Sequence, residues 1–258
     1  MGIIRTSFIA TCLLLIVPSY AEDISQNSGA PIPASEPEFF APYQVTYSTL
    51  YKKGITLKVE GTQTLTKQAP DLWQFNFHVD TLLASLKETS QFSLQSGSLR
   101  PSEYHYSSRI LGKRKNVKVA FNWNEMVASN TIKDNTWKMP IDDISLDRLT
   151  LQLQLRYDLL SGREQLAYNI ADGGKLKQYT FETKAKELVQ TKLGELETIK
   201  VIRTDNLSDK RHQYFWFAPK LDYLLVKMEH FEKGESYTLN VDKVEQSTTT
   251  KDSTPQYD

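Results

Sequence analysis

The sequence predicts a mainly β fold: a single antiparallel sheet, strongly curved or rolled into an open β-barrel, around one enclosed α-helix. The main observation is that apolar and polar residues alternate with a period of two through most of residues 42–123 and again after residue 166, which is typical of strands with one buried face. The second is that residues 143–162 alone carry apolar residues at helical spacing over a long segment. Together these patterns favour a β domain built around one helix.

Both ends of the chain are expected to lie outside this domain. Residues 1–21 have the features of a signal peptide: Arg5 near the N-terminus, an apolar core over residues 8–17 and cleavage near Ala21. This core is too short to span a bilayer, so we predict no integral membrane span in the mature chain. The protein is therefore expected to be periplasmic or secreted.

Composition divides the remaining chain and excludes several classes of function. We predict a disordered leader at residues 22–38, the β domain at residues 39–245 and a disordered tail at residues 246–258. Cys12, the one cysteine, falls in the signal peptide, so the mature chain has no disulfide and no thiol nucleophile. With 31 basic and 31 acidic residues, the sequence gives no support for a nucleic-acid partner.

The strands of the first half are recognised by their alternating apolar residues. The clearest example is Trp73, Phe75 and Phe77, which are separated by polar residues. The same pattern predicts further strands around Tyr43–Tyr47, Leu57–Val59, Phe92–Leu94, Tyr104–Tyr106 and Val117–Trp123. Residues 131–138, which include Trp137, are predicted to form one more short strand.

Two patterns overlap in residues 145–161, and periodicity alone does not choose between helix and strand. Helical spacing is followed by Leu146, Leu149, Leu153, Tyr157 and Leu160, whereas strict alternation is followed by Leu149, Leu151, Leu153, Leu155, Tyr157 and Leu159. We favour a helix because Ser145 is a good N-cap and Gly162 stands where a left-handed residue ends many helices. A helix so apolar must be largely enclosed by the sheet.

The second half is predicted to return to strands. Residues 166–171 and 175–182 form a hairpin around Asp172-Gly173-Gly174, and residues 188–189 and 197–203 continue the sheet. A last hairpin around Lys233-Gly234 follows from register. If these two residues form the turn, Met228 faces Leu239 and His230 faces Tyr237, which places the apolar residues on one face.

Several short motifs occur in a definite order. They are Leu99-Arg100-Pro101-Ser102-Glu103-Tyr104, Asp143-Ile144-Ser145, Leu193-Gly194-Glu195-Leu196-Glu197-Thr198-Ile199, and Trp216-Phe217-Ala218-Pro219 ahead of a Tyr-Leu-Leu-Val-Lys-Met strand. In their order and spacing, over residues 43–244, they resemble the bacterial exported-protein family known as domain of unknown function 3108. The resemblance implies a secreted or periplasmic antiparallel β domain without an established activity. It supplies no catalytic residue.

Motifs for catalysis, metals and cofactors are weak. The four histidines lack metal-ligand spacing, and no Gly-x-Ser-x-Gly motif surrounds a serine. Asp142, Asp143 and Asp147 precede the predicted helix, where carboxylates complement the helix dipole without any catalytic role. We therefore predict no catalytic residue, no metal and no cofactor.

One basic run has two interpretations. Lys113, Arg114 and Lys115, with Arg109 nearby, surround Gly112 at a predicted hairpin tip. A contact with anionic lipid headgroups or an acidic polymer is one interpretation. The other is an ordinary solvated turn, which we favour.

The aromatic residues support the leading functional hypothesis. We predict an apolar groove on the concave sheet, lined by Trp73, Phe75, Phe77, Leu151, Leu155 and Trp216. Core packing is the competing explanation of the same residues. The hypothesis is an exported binding or envelope-assembly factor that holds a lipid, a lipidated molecule or a hydrophobic segment of an envelope protein. The alternatives are an envelope hydrolase acting on glycan or peptide, and a structural module that binds protein partners.

Overall fold

The computed structural model describes residues 39–246 except 53, 55, 111, 206 and 209. The predicted signal peptide and leader fall outside this range, as does the predicted tail apart from residue 246, which ends a strand. The described residues form one 15-stranded sheet with a single α-helix. The elements are β1 (Tyr43–Lys52), β2 (Thr56–Ala69), β3 (Leu72–Asp80), β4 (Ala84–Gln95), β5 (Ser98–Ile110), β6 (Lys113–Asn122), β7 (Val127–Ile132), β8 (Asn135–Pro140), β9 (Ser145–Leu146), α1 (Thr150–Leu160), β10 (Leu166–Asp172), β11 (Lys175–Thr191), β12 (Gly194–Arg203), β13 (Arg211–Ala218), β14 (Leu224–Glu232) and β15 (Glu235–Gln246).

The sheet consists of two meanders that meet in its middle. Its strand order is β8-β7-β6-β5-β4-β3-β2-β1-β15-β14-β13-β12-β11-β10-β9. Every neighbouring pair is antiparallel except β9 and β10, where Ser145 and Leu146 pair in parallel with Asn169 and Ile170. Tight turns explain this order, because an antiparallel neighbour needs only a short connection. The predicted mainly β, antiparallel fold with one helix is confirmed.

The two ends of this open sheet approach each other. Strand β7 contacts β10, and β8 contacts β11. At this meeting point Trp137 lies against Gly174, whose position would bring an added Cβ within 3.3 Å of the Trp137 Cβ. No hydrogen-bonded ladder joins β8 to β9 among the described strands, so the sheet curls round without closing.

The helix is enclosed, as predicted, but it begins later than its sequence pattern indicates. Nine of its eleven residues are buried. Ser145, the predicted N-cap, belongs to β9, and its hydroxyl donates to Asp142 instead. The capping oxygen is Oδ1 of Asp147, which accepts the backbone N–H groups of Leu149 and Thr150 at 2.8 Å. At the other end Gly162 has the expected positive φ, 69°.

Of two further strand predictions, one is confirmed and one is wrong. Met228 pairs with Leu239 and His230 with Tyr237, which confirms the predicted register of the last hairpin. The single strand predicted at residues 131–138 is wrong. The chain instead forms two strands here, β7 and β8, which are joined by a turn at Lys133, whose φ is 54°.

Packing is dense at one end of the enclosed space. There Phe75 and Phe92 are almost fully buried, and Phe39 contacts Trp73, Phe92 and Tyr157 of α1 with ring centroids 5.0–6.1 Å apart. The helix thus fills this end of the concave sheet, and the space beyond it is left for the site.

Candidate functional site: an amphipathic inner cavity

The concave face of the sheet leaves an unfilled space of about 580 Å³ beside the start of α1. We call it the inner cavity. It reaches the end of the sheet that carries the β1–β2, β3–β4, β5–β6 and β14–β15 turns, since Tyr51, Ala84, Ile110 and Lys233 all line it. A cavity of this volume lies within the range of ligand pockets in proteins.

One wall of the inner cavity is mainly apolar. Its apolar side chains come from β1–β5, namely Tyr51, Leu57, Val59, Phe77, Val79, Leu86 and Ile110, and the same strands also contribute polar residues such as Gln63 and Glu88. Most of these side chains are only half-buried, in contrast to Phe75 and Phe92 at the packed end. Their remaining apolar surface faces the cavity and is available to a ligand.

The opposite wall comes from β11–β15 and is mainly polar, although Met228 and Leu239 also line it. Its side chains include Tyr179, Arg203, Arg211, Gln213, His230, Glu232 and Tyr237. Burial lowers the pKa of His230, against the raising effect of Glu232, so the imidazole is neutral at neutral pH. Burial also raises the pKa of Tyr237 to about 12, so its phenol stays protonated.

Arg148 projects into the inner cavity from the segment between β9 and α1. Its side chain is accessible to water although protein surrounds it on nearly all sides, because the accessible surface faces the cavity. Burial acts to lower the pKa of Arg148. The neighbouring Glu88, followed by Tyr104, Tyr237 and Asp172, outweighs this effect and raises it above the ordinary value. The guanidinium is therefore charged inside the protein.

Two of the six residues predicted to line an apolar groove reach the inner cavity. They are Phe77 and Leu151. Trp73, Phe75 and Leu155 are buried in the packed core and do not line it. The explanation is position along the strand: Trp73 and Phe75 share a face with Phe77 but lie at the end that α1 fills.

Trp216 lies on the convex side of the sheet. Its neighbours in β13, Phe215 and Phe217, point into the core, and successive strand residues face opposite sides. Trp216 instead packs between Lys200 and Lys227, with Nζ atoms 4.8 and 4.3 Å from its ring centroid. Its indole N–H donates to Glu187. These contacts cover the ring without a ligand.

The basic residues singled out in the sequence separate into two environments. Arg109, Lys113 and Arg114 are exposed at the β5–β6 hairpin, where Gly112 has a φ of 79°. Lys115 lines the inner cavity, with its Nζ 5.5 Å from the centre of the Tyr106 ring. The basic run is thus next to the cavity entrance, a relationship that depends on the curl of the sheet.

Arg148 is the residue that sequence reasoning missed. A cation directly before a helix N-terminus is electrostatically unfavourable, and this was the one signal available. Its exposure to the cavity depends on where the core is left unfilled, which no local pattern reports.

Two further findings concern the described region. In this part of the chain, no helix has the length and apolar character needed to cross a bilayer. The described histidine, aspartate and glutamate side chains form no group of three that is arranged to hold a metal ion.

A family model for proteins of unknown function, DUF3108, matches residues 42–242. The chain belongs to the DUF3108 family. This confirms the resemblance noted from its motifs. A comparison with curated proteins gives no significant match. Among solved structures, the chain is similar to a β-barrel-like protein of domain of unknown function DUF1849 from Brucella abortus, at 11% identity and a TM-score of 0.55. The alignment covers 82% of this DUF3108 chain and 100% of the Brucella protein. At this identity the likeness concerns the fold alone.

Proposed function

We propose that this DUF3108 protein is an exported binding or envelope-assembly factor that holds the hydrocarbon part of a lipid or lipidated molecule in the inner cavity. The observation that carries the proposal is the half-buried apolar wall of Leu57, Val59, Phe77 and Leu86 around about 580 Å³ of unfilled space. Such a surface is costly to leave against water unless a ligand covers it. The strongly curved sheet provides the concave shape that a chain-like ligand needs.

In this proposal the ligand is held by burial of its hydrocarbon chain against the apolar wall. Moving a methylene group from water to an apolar wall contributes about 0.8 kcal/mol. Each added methylene should therefore tighten binding about fourfold until the cavity is full. A chain-length series thus measures the depth of the apolar wall.

The direct test is calorimetric titration of the purified chain with 1-octanol, 1-decanol and 1-dodecanol. We expect the dissociation constant to fall about fourfold per methylene. Neutral alcohols are used so that the result depends on the apolar wall alone. Absence of binding by all three alcohols would contradict the proposal.

A pair of variants locates the binding. Val59→Trp places a large ring in the cavity and should weaken dodecanol binding at least tenfold. Lys58→Trp adds the same ring one residue away, on the exposed face of β2, and should leave binding within about twofold. Equal effects of the two substitutions would show that the alcohol binds elsewhere.

The envelope location is proposed from the N-terminal segment, residues 1–21, whose sequence has the features of an export signal. Fractionation of cells that carry the full-length chain, with an antibody to its β domain, tests this point. A chain found only in the cytoplasm would contradict it.

A further inference from the structure

The inner cavity contains charged groups of both signs. Five cations line it, Lys115, Arg148, Arg203, Arg211 and Lys233, and four carboxylates, Glu88, Asp172, Glu232 and Glu235. A ligand's polar end would be selected by whichever of these charges lacks a partner within the protein, since a buried charge needs a counter-charge or hydrogen bonds.

The other cations of the cavity are already engaged. Arg203 forms two hydrogen bonds of 2.8 Å to Asp205. A guanidinium nitrogen of Arg211 lies 3.2 Å from Oε2 of Glu232. The ammonium of Lys233 lies 3.9 Å from Oε1 of the same carboxylate. Lys115 lies over the ring of Tyr106.

The carboxylates around Arg148 are also engaged, but with other donors. Glu88 accepts a 2.5 Å hydrogen bond from the phenol of Tyr104, and Asp172 accepts one of 2.7 Å from the ammonium of Lys177. Asp147, the preceding residue, uses Oδ1 for two helix N–H groups and Oδ2 for the hydroxyl of Ser90. None of these three carboxylates lies within 4.0 Å of a nitrogen of the Arg148 guanidinium.

Arg148 therefore differs from the other cations. Within the described residues its guanidinium has no hydrogen bond, no ring contact and no carboxylate oxygen within 4.0 Å, while its side chain lines the same cavity as the apolar wall. Arginine presents five N–H donors in a planar fork that matches two oxygens of a carboxylate or phosphate. Such a group would bind the unused donors, and an attached hydrocarbon chain would cover Val59 and Phe77.

We propose that the ligand of the inner cavity is an anionic amphiphile, with a carboxylate or phosphate head bound by Arg148 and a hydrocarbon tail along the β1–β5 wall. This inference rests on the proposed function and specifies its ligand class. The head group of a fatty acid and that of a phosphate monoester share the required chemistry.

The test compares four ligands with the same twelve-carbon tail: dodecanoate, dodecyl phosphate, 1-dodecanol and dodecyltrimethylammonium. Dissociation constants are measured with the full chain at neutral pH, below the micelle concentration of each ionic ligand and below the solubility limit of the alcohol. We expect at least one anion to bind at least tenfold more tightly than the alcohol, and the cation to bind more weakly than the alcohol. The two anions distinguish a carboxylate site from a phosphate site.

Substitutions of Arg148 then assign the preference. Arg148→Met keeps a long side chain without charge and should bring the dissociation constant of the anion within about twofold of that of the alcohol in the same variant. Arg148→Lys keeps the charge but not the planar fork and should retain part of the preference. Val59→Trp should weaken the anion and the alcohol alike, because it blocks the tail.

The outcomes separate this inference from the proposed function. Alcohol and anion binding of equal strength in the unsubstituted protein would overturn the anionic ligand and leave apolar binding intact. An anion preference that persists in folded Arg148→Met would overturn the role of Arg148. Failure of all four ligands to bind would overturn both proposals.

Discussion

The hydroxyl of Ser90 in β4 donates a 2.5 Å hydrogen bond to Oδ2 of Asp147, although the two are 57 positions apart in the sequence. Both residues are fully buried. Because Oδ1 of the same carboxylate caps α1, this one side chain ties the start of the helix to the wall of the sheet. Arg148 directly follows Asp147, so these hydrogen bonds also fix the position of its backbone.

Asp147 should give the protein a distinct pH dependence. Burial raises the pKa of Asp147 to about 6 from its usual 3.8, while the hydrogen bond from Ser90 and those from the helix backbone act to lower it. The folded state thus holds this proton more tightly than the unfolded chain. The resulting stabilisation is complete below about pH 4 and is lost as the pH rises through about 6, a change of about 3 kcal/mol.

Urea denaturation between pH 4 and 8 checks this expectation. The free energy of unfolding of the unsubstituted protein, relative to that of Asp147→Asn, should fall across this window and then level off. Asp143→Asn, which removes an exposed carboxylate four residues earlier, serves as the control and should leave the profile nearly unchanged. A constant difference between the protein and Asp147→Asn would contradict the assignment.

Gly61 should be intolerant of a side chain because of Phe77. A Cβ at position 61 would lie 2.6 Å from Cζ of the Phe77 ring and 3.1 Å from Cγ2 of Val79. Since Phe77 lines the inner cavity, a displaced ring can move into that space. We expect Gly61→Ala to cost about 1–3 kcal/mol of unfolding free energy and to weaken dodecanol binding.

A double variant separates this clash from a general effect on β2. In the Gly61→Ala background, Phe77→Leu removes the ring atoms that meet the new methyl group and should recover part of the lost stability. Strictly additive losses in the two single variants and the double variant would show that the two positions do not interact.

The turn at Lys233-Gly234 should be open to improvement. Both residues have positive φ, 49° and 81°, as a type I′ turn requires. Asparagine tolerates this conformation better than lysine. Lys233→Asn is therefore expected to raise the unfolding free energy by about 0.5–1 kcal/mol, seen as a higher melting temperature. Lys87→Asn, an exposed lysine within β4, should lower it slightly, because asparagine is disfavoured in strands.

The sequence was most informative where the alternation of apolar residues allowed only one strand register. Pairing of Met228 with Leu239 follows from alternation, since a slip of one residue would turn the apolar set outward. Ser145 and Asp147 are equally good helix caps by type. The choice between them is made by the pairing of β9 with β10, a tertiary contact that local sequence does not encode.

The candidate site was predictable only in part for a related reason. The alternation of Trp73, Phe75 and Phe77 correctly places all three on one inward face. Which of them meets packed helix and which meets open cavity depends on how far α1 extends along the sheet. The same fact makes Arg148 a cavity residue while Arg156, two turns later, has its guanidinium carbon 3.8 Å from the centre of the Phe40 ring.

The pairing of β1 with β15 in the middle of the sheet also affects how the chain reaches its folded state. Gln44 and Glu245 are hydrogen-bonded across this seam, yet they are 201 positions apart in the sequence. All other neighbouring strands are close in sequence, so the seam alone requires the closing of a very long loop, which slows folding. Until β15 pairs with it, β1 has one unpaired edge that can associate with other chains. A circular permutant that starts between β8 and β9, with residue 246 joined through a short linker to residue 39 so that Phe39 is kept, would make the seam a local connection and should refold faster.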